Sequence, residues 1–149
     1  MTARLNIALA ALLAAFASFA HADDAKALAA AAKEAGASVS GSGLVYRSLK
    51  DGTGPSPSAS DVVKVNYRGT FVDGREFDAS AHHGGAIQFP LNRVIPCWTE
   101  GVQKIKVGGK AKLTCPSAIA YGPSGAGGGA IPPNATLIFE VELVGIQGK

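Results

Sequence analysis

The side chains with the most chemistry to offer are few and scattered. Cys97 and Cys115 are the only cysteines, His82 and His83 are adjacent, Asp78 follows Phe77, and Trp98 is the single tryptophan. Two cysteines so far apart are not a zinc pattern, which needs further ligands at short spacing, nor the C-x-x-C of a redox enzyme. They suit a structural disulfide; the alternative is two buried thiols packing as small hydrophobes, Cys115 beside Leu113. His82-His83 suggests metal ligation, but neighbours on a strand point to opposite faces and no third ligand is spaced for them. Gly108-Gly109-Lys110 lacks the rest of a phosphate loop, and Asn134-Ala135-Thr136 reads as a chance match to the glycosylation pattern at a strand start. No metal and no cofactor is expected.

The elements that must position these residues are mostly strands. The chain has 149 residues, 19 of them Gly and 8 Pro, which excludes a helical bundle and demands many turns. Leu44 to Lys50 reads as a strand, and 51–57 as a turn-rich loop. Asp61 to Phe71 alternates, with Val63, Val65, Tyr67 and Phe71 on one face and Lys64, Asn66 and Arg68 opposite. Asp73-Gly74 marks a hairpin into Arg75–Asp78. Lys110 to Cys115 alternates again, as does Thr136 to Ile146, with Leu137, Phe139, Val141 and Leu143 inward. One stretch changes period: Pro96 to Ile105 places Trp98, Val102 and Ile105 on one stripe of a short helix, with Pro96 tolerated in its first turn. The expected fold is α+β, five or six antiparallel strands forming a strongly twisted sheet around one short helix.

The N-terminus is read as a processing signal. Arg4 precedes an apolar run from Ile7 to Phe19, followed by Ala20-His21-Ala22, the pattern of a secretory signal peptide over 1–22. A helix from Ile7 to Ala20 would span about 21 Å, too short for a hydrocarbon core of roughly 30 Å. Cleavage after Ala22 takes the formal charge from +3 to +2. That balance, without blocks of like charge, gives no support for nucleic-acid binding. A periplasmic or secreted product, free of the membrane after cleavage, is expected. Residues 23–42 read as an Ala-rich leader, a marginal and frayed helix, followed by a Ser/Gly linker; the folded domain is expected over 43–149.

Four groups of residues share a familiar order: Val65-Asn66-Tyr67-Arg68-Gly69; Gly74-Arg75-Glu76-Phe77-Asp78-Ala79-Ser80; Val94-Ile95-Pro96-Cys97-Trp98-Thr99-Glu100-Gly101; and Ala120-Tyr121-Gly122 with Ile131-Pro132-Pro133 running to Phe139. Together they resemble the FKBP-type peptidyl-prolyl cis-trans isomerases over Gly43–Gly148. The signal sequence and the cysteine pair look like the exported bacterial branch. The resemblance implies an antiparallel sheet wrapped around a short helix, with an apolar pocket between them.

The resemblance also implies roles. Trp98, Phe77, Val94, Ile95 and Phe139 would desolvate and grip a proline ring, with Ile131 in the same wall. The Ile95 N–H and the Tyr121 hydroxyl would hold substrate carbonyls. Asp78 would act electrostatically and orient Tyr67. The residues alone also allow Trp98 as core, Asp78 as a turn residue capping a backbone N–H, and Tyr121-Gly122-Pro123 as ordinary turn chemistry. The implied partners are proline-containing unfolded or partly folded polypeptides, and macrolide inhibitors such as rapamycin or tacrolimus. Rival readings are a peptide-binding chaperone and a non-catalytic module. The family's third pocket aromatic is replaced by Ile87, an Arg of the family aligns with His83, and a Gly-rich loop spans 125–129. These departures imply an altered substrate and inhibitor preference.

Overall fold

The computed structural model describes residues 23–149, so the signal peptide expected over 1–22 lies outside the described residues. Residues 23–32 form a helix, α1. Seven strands follow: β1 (Ala37–Val39), β2 (Val45–Lys50), β3 (Val62–Phe71), β4 (Glu76–Ala79), β5 (Ile87–Pro90), β6 (Lys110–Cys115) and β7 (Leu137–Ile146). One further α-helix, α2 (Pro96–Val102), lies between β5 and β6. Every strand pair is antiparallel, in the order β1-β2-β6-β7-β3-β4, with β5 also paired to β3. No helix among the described residues is long and apolar enough to cross a membrane.

The alternation in the sequence is realised as one buried face. Val63 and Val65 of β3, Ala111, Leu113 and Cys115 of β6, and Leu137, Phe139, Val141 and Leu143 of β7 are all buried, and they meet Trp98, Val102 and Cys97 of α2 in one core. β3 and β7 pair along nearly their whole length, from Val63 opposite Ile146 to Phe71 opposite Leu137. Val63, Val65, Leu137, Val141 and Leu143 on those two strands are fully buried, which pins the register: a one-residue slip would turn this face to water.

Glycine lets the helix lie close to the sheet. A Cβ on Gly101 of α2 would stand 2.8 Å from Leu113 of β6, inside contact distance, so any larger residue would lift the helix. The expected helix over 96–105 is shorter than its apolar stripe, ending at Val102. Ile105 is still buried, because the chain leaves α2 through a turn in which the Ile105 N–H donates to the Val102 carbonyl at 3.1 Å. Cys97 and Cys115 form a disulfide, with Cα atoms 5.9 Å apart, that ties the first turn of α2 to the end of β6.

The segment before the domain differs from expectation. The stretch read as a Ser/Gly linker opens with β1, which pairs with β2 through Ala37–Arg47, Ser38–Tyr46 and Val39–Val45, and this raises the strand count to seven. The leader is not a loose end. Just after α1, Glu34 accepts from Arg47 at 2.9 Å and from Lys112 at 2.8 Å, bridging β2 and β6. Ala31 is buried, and Asp24 Oδ2 accepts the Thr136 N–H at 3.3 Å just before β7.

Candidate active site

A cavity of about 470 Å³ opens between the inner face of the sheet and the N-terminal end of α2, walled by Tyr67, Phe89, Arg93, Val94, Ile95, Trp98, Tyr121 and Phe139. Its floor is aromatic. The Trp98 ring stands edge-on to Tyr67, Phe89 and Phe139, with centroids 5.2, 5.7 and 5.4 Å away. Edge-to-face packing of this kind fixes the indole plane without closing the space above it. Trp98 is only 4% exposed and belongs to the core as well as to the cavity floor. Its Nε1–H has no hydrogen-bond partner among the described residues.

Beside this floor sits a hydrogen-bonded charged cluster. The Tyr67 hydroxyl donates to Asp78 Oδ2 at 2.7 Å, while Asp78 Oδ1 accepts from the Ala79 N–H at 2.8 Å and from His83 Nε2 at 2.9 Å. Burial pushes the Asp78 carboxyl up, but the Tyr67, His83 and Ala79 hydrogen bonds more than offset it and hold the group below its usual range. Burial and the adjacent carboxylate push the Tyr67 phenol well above its ordinary value, and the same two causes raise that of Tyr121. At neutral pH the cluster therefore presents two neutral phenols and one carboxylate.

The local backbone explains these contacts. The Asp73-Gly74 turn returns the chain along β3, and a bulge between Gly69 and Thr70 sets the register that puts Asp78 opposite Gly69. A Cβ on Gly69 would come 2.6 Å from the Phe77 ring and 2.9 Å from that of Phe139, so only glycine lets both rings cross β3. After β4 the chain enters a 3-10 turn, Ser80–His83, held because the Tyr67 N–H donates to Ser80 Oγ at 3.0 Å. His82 and His83 thus lie on a turn and not on a strand, and they go separately to Glu76 and Asp78, each at 2.9 Å.

Of the residues expected in the pocket, Tyr67, Val94, Ile95, Trp98, Tyr121 and Phe139 line the cavity. Phe77, Asp78 and Ile131 do not. Phe77 packs edge-on against Phe139 at 5.6 Å, and Asp78 is hydrogen-bonded to the wall residue Tyr67. Ile131 is buried and pairs its backbone with Ala126, two hydrogen bonds of 3.0 Å that close the Gly-rich loop. The Ile95 N–H has no partner among the described residues, whereas the Ile95 carbonyl accepts from Trp98 and Thr99 in the first turn of α2. The Tyr121 side chain, on a 39% exposed residue, makes no hydrogen bond among the described residues.

Two wall residues were not anticipated. Phe89 supplies an aromatic ring two positions beyond Ile87 on the same face of β5; period-two alternation from Ile87 points to it. Arg93 ends a short 3-10 turn, Leu91–Arg93, and nothing in its type or spacing marks it as a cavity residue.

Known proteins with the same architecture can now be set beside this one. A family model described as FKBP-type peptidyl-prolyl cis-trans isomerase matches residues 54–144. The FKBP-type peptidyl-prolyl cis-trans isomerase FkpA of Aeromonas hydrophila is 53% identical over 120 residues, covering 80% of this chain and 44% of that protein. Its Escherichia coli K12 namesake is 51% identical over 116 residues, covering 78% and 42%. The chain thus spans less than half the length of these curated relatives. The crystal structure of FkpA from Escherichia coli superposes with a TM-score of 0.83 at 43% identity, covering 97% of this chain and 67% of that one. Fold, motif order and relatives agree, and this chain belongs to the FKBP-type peptidyl-prolyl cis-trans isomerase family.

Proposed function

We propose that the protein is a peptidyl-prolyl cis-trans isomerase that accelerates rotation about Xaa-Pro bonds in unfolded or partly folded polypeptides. The observation that carries this reading is an apolar cavity floored by a fixed indole and flanked by a hydrogen-bonded carboxylate. The secretory pattern at the N-terminus, read from sequence, adds that the clients are exported proteins met in the periplasm or outside the cell.

Amide resonance sets a barrier of about 18–20 kcal/mol, and uncatalysed Xaa-Pro isomerisation takes tens to hundreds of seconds. Turnover near a thousand per second would need a factor of about 10⁵, or roughly 7 kcal/mol off the barrier. No bond is made or broken, so the task is to favour the twisted amide over the planar one. The planar amide is the more polar of the two, and a dry apolar cavity disfavours it. Trp98, Val94, Ile95, Phe89 and Phe139 remove water and grip the proline ring. Phe77 steadies Phe139 through edge-on packing, and Ile131 closes the Gly-rich loop through its pairing with Ala126. The Ile95 N–H and the Tyr121 hydroxyl, both without partners among the described residues, donate to substrate carbonyls and fix the chain on either side of the rotating bond. Asp78 stays ionised, keeps Tyr67 in place, and places its field beside the carbonyl that turns.

The test is a protease-coupled isomerisation assay on a short Xaa-Pro peptide, with and without rapamycin. Acceleration suppressed by the macrolide supports both the activity and the cavity as its site. No acceleration would leave a peptide-binding module.

A further inference from the structure

Among the described residues, Arg93 is the one formally charged side chain lining the cavity. Its backbone is well anchored. Leu91, two residues earlier, is fully buried; its N–H donates to the Asp61 carbonyl at 2.9 Å, and its own carbonyl accepts the Thr99 hydroxyl at 2.7 Å. Val94 and Ile95, directly after it, form the adjoining wall. The guanidinium therefore projects from a fixed turn, yet it makes no ion pair and no side-chain hydrogen bond among the described residues. Arg47, Arg68 and Arg75 each have a carboxylate within 2.9 Å.

The surroundings decide what this cation can do. Arg93 itself is exposed, so its guanidinium is open to an incoming peptide, and the rest of the wall, aromatic and aliphatic, carries no competing formal charge. Asp78 does not pair with it: its two oxygens accept from Tyr67, His83 and the Ala79 amide. Arginine offers a planar fork of donors that matches a carboxylate in two parallel bonds, a geometry that lysine cannot supply. A peptide whose proline sits on Trp98 and whose carbonyl meets the Ile95 N–H must run past Arg93, two positions upstream.

We propose that Arg93 is a specificity determinant, and that the preferred substrates carry Asp or Glu immediately beside the proline. This rests on the isomerase reading for the presence of a proline in the cavity, but the recognition itself is a binding property and can be measured separately. The test uses two series of short peptides with Glu, Gln or Lys directly before or directly after the proline. Each is assayed for turnover, and a fluorophore-labelled copy is followed by anisotropy.

In one of the two positions Glu should exceed Lys by about three- to tenfold in kcat/KM and in affinity, with Gln between them, and high salt should compress the range. Arg93→Ala should abolish the ratio, Arg93→Glu should invert it, and Arg93→Lys should restore part of it. Equal values for all three peptides in both series, or a Glu preference that survives Arg93→Glu, would overturn the proposal while leaving normal turnover as evidence for the isomerase. Absent turnover with an Arg93-dependent Glu preference in anisotropy would instead sink the isomerase reading and sustain the recognition. No binding of any peptide would remove both.

Discussion

The Tyr67 hydroxyl lies 2.7 Å from Asp78 Oδ2, and this bond is what joins the carboxylate to the cavity wall. Tyr67 stands on β3 with its ring edge-on to Trp98, so the indole, the phenol and the carboxylate form a continuous chain from the floor outward. His83 and the Ala79 amide hold the other carboxylate oxygen. Asp78 can therefore influence a bound amide only through its charge and through the position of Tyr67.

Asp78→Val should lower kcat by about tenfold or more while KM changes little, because the lost field is felt mainly in the twisted state. Tyr67→Phe should show a smaller loss of the same kind. Steady-state kinetics with a saturable Xaa-Pro peptide separates the two constants. An unchanged kcat in Asp78→Val would reduce Asp78 to a turn residue bonded to the Ala79 amide.

Trp98→Leu should weaken binding of peptide and macrolide and also destabilise the fold. A tryptophan that is 4% exposed and packed by three rings leaves a cavity when truncated, at a cost of roughly 2–4 kcal/mol, on the order of 10 °C in Tm for a domain of this size. In the parent protein the intrinsic fluorescence should respond to ligand, since the indole is both reporter and floor. Silence at saturating ligand would place Trp98 in the core alone.

Loss of the Cys97–Cys115 disulfide should cost about 3 kcal/mol, the entropy of the loop that it closes. Thiol titration of the unfolded, unreduced protein should find no free thiol, and reduction should lower Tm. Because the bond ties α2 to β6, the reduced protein should also bind peptide more weakly. Two titratable thiols in protein taken from its native compartment would contradict the bond.

Acid should release the leader. The Lys112 hydrogen bond and charge, with Arg47 beside it, hold the Glu34 carboxyl below its ordinary range despite partial burial. A carboxyl depressed in the folded state contributes stability above its unfolded value near 4.5, and that contribution is lost as pH falls through the lower folded value. Each pair is worth about 0.2–1 kcal/mol, enough to loosen a short helix without unfolding the domain. Proteolysis between residues 32 and 37 should accelerate as pH falls from 6 to 3, and Glu34→Gln should show the fast pattern already at pH 7. Equal cleavage rates throughout would mean that α1 is held by something other than Glu34.

Much of the fold was legible in the chain itself. Period-two alternation in 61–71, 110–115 and 136–146 marked β3, β6 and β7, because a sheet with one buried face writes its pleat into the sequence. The stripe through Trp98 and Val102 marked α2, and an even cysteine count behind an export pattern pointed to the disulfide that the structure contains. β1 was not legible: Ala37-Ser38-Val39 is three residues long with Val39 exposed, so it buries no face of its own and is a strand only because β2 offers an unpaired edge. The end of α2 was hidden too, since Ile105 continues the stripe but is buried by a turn rather than by helix. At the site, residue types could suggest aromatic walls but not which rings reach the cavity. Phe89 supplies a further ring where Ile87 stands in for the family's third aromatic, while Phe77 and Ile131 are not among the lining residues. Asp78, His83 and Tyr67 meet because a hairpin, a bulge and a 3-10 turn fold residues from three elements onto one carboxylate. Arg93 faces the cavity because buried Leu91 anchors its turn. Local sequence sets pleat and periodicity; which side chains converge depends on contacts between segments far apart in the chain, and those exist only once the sheet has closed on its helix.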